Sequence, residues 1–283
     1  ISATLLVLYF NNKKQSNVEK QAKKSGIIIM KNKKNIACIS GVILLLLVVY
    51  NFLFIKIDNQ RVYRYTEKFR ITKECDEKDF KKIGKLKKLS ELSIDSENIK
   101  SLDCVYDLSS LKKIYIDIAP NLDMSFLSEC SELEDLYIFG TPLDSFEHIS
   151  TLTTLKAISI QICDIYDISG IKNLKKLETF RFDNCQSDSS ITGIEELSEL
   201  PNLMTVSLGC AKKSDISAIA ECKNITSLSL RESNESIDAA ELLKLEKLRK
   251  LSITGSSLEN AEKLLEFKEL RDITFSEDMV NRT

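Results

Sequence analysis

Tryptophan is absent from the 283 residues, histidine occurs once, and proline and glycine occur only three and eight times. Each scarcity removes a class of chemistry or architecture. A histidine metal site or a serine–histidine nucleophile would have to use His148, which lies between Glu147 and Ile149 with no second imidazole to join it. It reads as an exposed polar side chain. So little proline and glycine excludes a low-complexity or collagenous chain. None of the eight cysteines forms a CxxC pair, the spacing on which most structural zinc sites are built. There is no glycine-rich phosphate loop, and the carboxylates are scattered as solvated positions. No catalytic residue, metal site or cofactor is expected, and the chain does not read as an enzyme.

Positive charge is missing where a nucleic-acid binder would need it. Residues 1–55 hold eight Lys and one Glu, a net +7, whereas residues 56–283 hold 32 basic and 41 acidic residues, a net −9. An acidic domain lacks the basic footprint that displaces counterions, so no nucleic-acid partner is expected.

One apolar run is long enough to cross a bilayer. Ile36 to Ile55, IACISGVILLLLVVYNFLFI, has twenty residues without a charge. As a helix it would span roughly 30 Å, the thickness of the hydrocarbon core. Lys31, Lys33 and Lys34 precede it, which favours a cytoplasmic N-terminal side. Bulky Asn51-Phe52-Leu53-Phe54 stands where a cleavage site would need small residues, so an uncleaved signal anchor is expected. Met30, followed by KNKK, looks like the start of a bacterial export signal. The expected organisation is a basic cytoplasmic segment (1–35), a transmembrane anchor (36–55), a juxtamembrane segment and cap (56–88) and a repeat domain (89–283) outside the cell. Lys56, Arg61, Arg64, Lys68 and Arg70 just past the run pull the other way. They keep a cytoplasmic alternative open.

The rest of the chain repeats. Cores of the form LxxLxL occur at 89–94, 111–116, 133–138, 155–160, 177–182, 203–208, 225–230, 248–253 and 270–275, with starts stepping by 22, 22, 22, 22, 26, 22, 23 and 22. Such a period marks a stacked solenoid. Within a repeat the apolar rhythm changes: Ile158 and Ile160 alternate, whereas Ile165, Ile168, Ile171 and Leu174 recur at every third residue. Alternation is a short strand with one face inward, and a period of three is near-3-10 backbone. The same register is expected at Ile99, Leu102, Val105 and Leu108, and at Leu258, Ala261, Leu264 and Phe267. The return 258–267 is expected to be the most helical. The single step of 26 places four extra residues between Cys185 and Ile191, in QSDSS. The slot after each strand holds Glu97, Ala119, Thr141, Cys163, Cys185, Ala211, Ser233 and Ser256. Cys130 and Cys222 fall on inward slots and read as buried structural thiols, while a Cys163–Cys185 disulfide between neighbouring coils is sterically conceivable.

These repeats resemble the 22-residue leucine-rich repeats of bacterial internalins over about residues 65–283, including the Asp-Ile turn phrase at Asp167-Ile168 and Asp215-Ile216. The resemblance implies an α/β fold: a right-handed leucine-rich-repeat solenoid of about nine repeats, with a parallel concave sheet and a mostly 3-10 or irregular convex side. Residues 66–88, with Phe69, Ile71, Phe80, Ile83 and Leu86, read as a degenerate cap repeat. The slot that carries Asn in internalins is filled here by small or weakly polar groups, and no LPxTG-like motif or Ig-like domain is found in these residues. The resemblance implies a membrane-anchored bacterial surface protein that binds a protein or glycan. The alternative resembles the leucine-rich regulatory subunit of type 1 phosphatase and would be a cytoplasmic scaffold at the membrane.

Residues between the inward strand positions should face solvent on the concave side. Most are small and polar. The exception is Tyr115, Tyr137 and Phe139, with Asp117 and Asp135 beside them and Arg181 and Asp183 two coils on. Tyrosine and arginine so placed are typical of binding hot spots, and these seven residues are the candidate ligand site. Cross-strand ring stacking is the structural reading of the same aromatics.

Overall fold

A computed structural model describes residues 33–58, 60–102, 108, 110–183, 190–233 and 235–276, with side chains described from residue 41 onward. It has two compact units, Ile1–Phe54 and Ile55–Thr283. In the first, helix α1 spans Lys33–Leu53, and its apolar side chains from Val42 to Phe52 are exposed. Among the described residues no helix is long and apolar enough to cross a membrane. The helix stops two residues before the apolar run of the sequence does. Phe54–Ile57 is strand β1 instead. Ile55 and Ile57 alternate with Lys56 and are buried in the core of the second unit. β1 pairs with β2 (Gln60–Tyr63) in a two-stranded sheet.

The second unit is built on one ten-stranded sheet. Its strands are β3 (Lys68–Ile71), β4 (Glu91–Ile94), β5 (Lys113–Asp117), β6 (Asp135–Phe139), β7 (Ala157–Gln161), β8 (Thr179–Asp183), β9 (Thr205–Gly209), β10 (Ser227–Arg231), β12 (Lys250–Thr254) and β14 (Asp272–Phe275). Every pairing is parallel and follows chain order. Each strand from β4 onward starts at the third residue of an LxxLxL core, so the sequence steps are the strand steps. The sheet has one strand more than the nine expected. β3 is the addition, from the cap: Phe69 pairs with Leu92 and Ile71 with Ile94. Behind it, α2 (Glu77–Ile83) is capped by the Asp76 carboxylate, which accepts from Asp79 N at 2.8 Å. It buries Phe80 and Ile83.

The inward strand positions and the returns share one core. Ile158, Ile160, Cys163, Ile165, Ile168, Ile171 and Leu174 of a single coil are all buried. The period of three has its cause in the backbone: Ile171 N, Leu174 N and Leu177 N donate to Ile168 O, Ile171 O and Leu174 O at 3.1, 3.0 and 2.9 Å. These are three-residue turns that bring every third side chain to the same face. Gly193, which opens the 3-10 turn at 194–199, has φ +79°, and a Cβ there would lie 2.7 Å from Ser169 N on the preceding coil. Glycine is required for both reasons.

One recurrent device turns the chain inward after β5, β6, β7, β9, β10 and β12. The residue after the strand is left-handed: Ile118, Gly140, Ile162, Cys210, Glu232 and Gly255 have φ between +50° and +66°. The next residue is thereby directed into the core, and Ala119, Thr141, Cys163, Ala211, Ser233 and Ser256 are all buried there. Small polar groups link the slot between coils. Thr141 Oγ1 accepts from Ala119 N at 3.0 Å, Ser256 Oγ accepts from Ser233 N at 2.8 Å, and Ser233 Oγ donates to Ala211 O at 2.7 Å. Cys163 Sγ donates to Gln161 O at 3.1 Å and is a free thiol. In the first coil the slot belongs to buried Ser96, not Glu97, which is exposed.

The most helical return is not 258–267 but α4 (Lys213–Ala220). The short α3 (Glu147–Ser150) and α5 (Ala239–Leu242) mark two other returns. In α4, Ile216, Ile219 and Ala220 fall on one buried face, and the buried Asp215 carboxylate accepts from Lys212 N at 2.9 Å and Ile191 N at 3.0 Å. Burial raises the Asp215 pKa against those donors. In 258–267 the first residues are instead drawn into β13 (Leu258–Glu259), paired with β11 (Ile237–Asp238), and left-handed Asn260 opens a 3-10 turn at 261–266. The step of 26 separates β8 from β9, which still pair over five residues. Val105, Cys185 and Gln186–Ser189 lie outside the described residues.

Candidate ligand-binding face

Because Ile114, Ile116, Leu136 and Ile138 are buried, the residues between them stand on the solvent side of the sheet. Register places Tyr115 opposite Tyr137, and Asp117 opposite Phe139. The Tyr115 and Tyr137 rings are tilted with centroids 6.3 Å apart, and Tyr137 and Phe139 are stacked at 6.5 Å with 3° between their planes. The three rings form one continuous run. Tyr137 is half-buried in it, and that burial, with the Asp117 carboxylate nearby, raises its pKa and keeps the phenol neutral.

The acidic residues separate into two kinds. Asp135 forms a cross-strand ion pair with Lys113, whose pKa it raises. Asp183 pairs with Arg231 at 2.6 Å, two strands away, across Gly209. A Cβ at Gly209 would lie 2.1 Å from the Asp183 carboxylate, so the intervening strand must carry glycine for the pair to close. The same lacing joins Lys68 to Glu91, Arg70 to Asp95 and Lys250 to Asp272. Asp117 and Arg181 have no ion-pair partner among the described residues. Arg181 is exposed between Ser159 and Ser207, with Ser159 opposite Tyr137 on the next strand. The sheet therefore brings Tyr115, Asp117, Asp135, Tyr137 and Phe139 into one patch. Arg181 sits two strands along, about 10 Å away at ~4.8 Å per strand, and Asp183 is engaged with Arg231 rather than with the patch.

Two residues not singled out in the sequence join this surface. Ile118 and Ile162 are 45% and 46% exposed and flank Gly140 on the strand ends of β5, β6 and β7. Ile118 N donates to Phe139 O, and Gly140 N to Gln161 O, each at 3.0 Å. A β-branched residue with φ near +50° is a conformational outlier. The signal in the sequence was isoleucine at a position where Gly140 and Gly255 stand in other coils, and it is readable only once the left-handed turn is known. At the strand entries, Glu134 lies between Lys112 at 2.6 Å and Lys156 at 2.7 Å, and these ammonium groups hold its carboxyl at about 2.

The other reactive side chains are internal or on the returns. Cys75, Cys130, Cys163 and Cys222 are free and buried, and burial pushes the Cys130 and Cys222 thiols up to about 12. Cys210 is disulfide-bonded, a pairing that the even spacing of the coils did not single out. His148 lies on α3, with Ser128 Oγ 2.8 Å from its Nδ1. Among the described residues no group of three or more His, Cys, Asp or Glu is arranged to hold a metal ion.

No protein-family model matches the chain, and no curated protein matches it. Solved structures do. An internalin, InlF, from Listeria monocytogenes is similar over 80% of this chain and 77% of its own, with 17% identity and a TM-score of 0.61. Internalin C2 from the same organism is similar over 80% of this chain and 96% of its own, with 18% identity and a TM-score of 0.52. A complex of TLR13 with the single-stranded RNA ssRNA13 is similar over 75% of this chain and 40% of its own, with 14% identity and a TM-score of 0.52. In fold, the second unit is an internalin-like leucine-rich-repeat solenoid.

Proposed function

We propose that the chain is a membrane-anchored bacterial surface protein whose solenoid captures a protein or glycan ligand on the outward face of its sheet. The observation that carries this reading is the aromatic run Tyr115–Tyr137–Phe139, standing on solvent-facing positions of a sheet otherwise lined with small polar residues or self-paired charges. Asp117 and Arg181, which have no counterion among the described residues, supply its polar specificity. Asp135 acts through Lys113, and Asp183 through Arg231, as supports of the rim. Buried aromatic and arginine anchors dominate binding energy in most interfaces. The acidic balance of residues 56–283 argues against nucleic acid as the ligand.

The anchor in this reading is the uncharged part of α1, residues 36–53. Its exposed Val42, Leu44, Leu45, Leu46, Leu47 and Phe52 need an apolar environment, and the lysines before it favour a cytoplasmic N-terminus. The disulfide at Cys210 favours an oxidising compartment for the solenoid over the cytoplasmic alternative. Protease treatment of intact cells checks orientation: loss of the solenoid is expected, and its survival until the cells are lysed would place it inside. Ligand capture is tested with the full chain on a glycan array and a displayed random-peptide library. The reading expects bound members whose capture falls tenfold or more in Tyr137→Ala/Phe139→Ala. Capture that is indifferent to both substitutions would move the site elsewhere.

A further inference from the structure

One row of residues crosses the exit ends of β4 to β8. Register sets Asp117 beside Phe139, Phe139 beside Gln161, and Gln161 beside Asp183. Asp95, one residue past β4, completes the row, because Ile94 before it pairs with Ile116. Asp95, Asp117 and Asp183 are its carboxylates, and two of them hold a guanidinium of this chain. Arg70 reaches Asp95 at 2.6 Å, and Arg231 reaches Asp183 at 2.6 Å. Asp117 has no ion pair among the described residues. The lysine on the outward parity of its own strand, Lys113, is engaged by Asp135.

What lies beside Asp117 is aromatic. The Tyr137 and Phe139 rings are parallel to within 3°, with centroids 6.5 Å apart, and Tyr115 stands 6.3 Å from Tyr137. Rings so spaced let one cation stand within ~6 Å of two centroids at once. Parallel planes suit a flat guanidinium better than a compact ammonium, because a guanidinium stacks on ring faces and also pairs with a carboxylate through two N–H groups. Burial, and then the Asp117 charge, raise the Tyr137 pKa, which puts that carboxylate within electrostatic reach of the ring. Ile118, next to Asp117, is 45% exposed, and a Cβ at Gly140 would lie 3.5 Å from its Cγ1. Ile118 therefore lies along the glycine that follows Phe139 and extends the apolar surface, as the methylene stem of an arginine requires. We propose, on the reading of this face as the ligand site, that it takes an arginine side chain of a protein ligand. The guanidinium donates to the Asp117 carboxylate, and its plane stacks on Tyr137 and Phe139. The net −9 of residues 56–283 draws a basic segment toward the domain. A neutral sugar would stack on the rings but leave Asp117 the one uncompensated carboxylate of the row.

The test selects peptides from a displayed random dodecapeptide library with the full chain in detergent micelles. Among peptides whose capture is lost in Tyr137→Ala/Phe139→Ala, arginine should be enriched tenfold or more at one position. Replacing that arginine by citrulline, which keeps its shape and removes its charge, should weaken capture tenfold or more. Asp117→Asn should abolish the arginine enrichment. Asp144→Asn, which removes the same charge from an exposed position off the row, should retain it. That comparison separates a specific pair from general attraction to an acidic domain. Peptides that need Tyr137 and Phe139 but show no arginine preference, or keep it in Asp117→Asn, would overturn this inference and leave the aromatic face standing. Capture of array glycans alone would do the same. Capture indifferent to the ring substitutions, or no capture of either class, would overturn the reading of the face and this inference with it.

Discussion

At the residue scale, single side chains on this sheet differ by parity and by backbone conformation more than by type. Ile118 and Ile162 are isoleucines like those of the core, yet each is exposed in a left-handed conformation that costs a β-branched residue on the order of 1–3 kcal/mol. Asparagine tolerates that conformation. Ile162→Asn is therefore expected to stabilise the fold by about 1 kcal/mol, read as a raised urea midpoint at unchanged slope. A loss of stability would mean that the half-exposed side chain packs better than its exposure suggests. Glu134 supports a prediction in pH. Its folded-state value, about 2, lies below its ordinary 4.5 because Lys112 and Lys156 favour the carboxylate. A depressed carboxyl contributes stability above its unfolded value and loses it as pH falls through the folded one. Wild type should accordingly lose stability between about pH 4.5 and 2 relative to Glu134→Gln, whose curve should be flatter in that window.

Much of the residue-level plan was legible from the sequence, and the failures have definite causes. Inward positions such as Ile158, Ile160, Ile165 and Ile168 follow from period alone, because a stacked coil gives each of them the same surroundings. The aromatic run followed from parity in the same way. Glu97 was misplaced because the first coil turns inward one residue early, at Ser96. Long-range polar contacts were not readable. Nothing in the sequence links Asp183 to Arg231 across a third strand, although Gly209 between them is the trace that the contact leaves.

At the scale of elements, the strands follow the repeat and the returns follow local chemistry. β3 escaped the count because its core is only Phe69 and Ile71, set in a charged segment. The register that joins it to β4 is nonetheless the one that the other strands use. Helix content in the returns depends on what holds the first turn. Asp215, tied to Lys212 N and Ile191 N, starts α4, whereas β13 pairing takes up the residues that could have started a helix at 258. The four-residue excess between β8 and β9 leaves all five of their paired positions intact. Thr192 N then donates to Tyr166 O at 2.8 Å, which returns the chain to register. Deleting Gln186–Ser189 should consequently leave Tm nearly unchanged in a thermal scan. A marked fall would show that the extra residues are structural.

At the scale of the whole second unit, stability is shared between neighbouring coils and function is assigned to one face. The cross-strand ion pairs on that face are partly exposed and contribute at most about 1 kcal/mol each. Among the described residues, the aromatic run with Asp117 and Arg181 is the part of that face without an ion pair. The central claim is that this run stands on the fold without holding it together. Urea unfolding of three forms of the full chain tests it most directly. Leu136, buried at 2% exposure, is one residue from Tyr137 on the opposite parity. Leu136→Ala should lower stability by about 2–5 kcal/mol through a cavity in the shared core. Tyr137→Ala/Phe139→Ala should lower it by no more than about 1–2 kcal/mol. If the double substitution costs as much as Leu136→Ala, the aromatics are packing, and the binding face assigned here is contradicted.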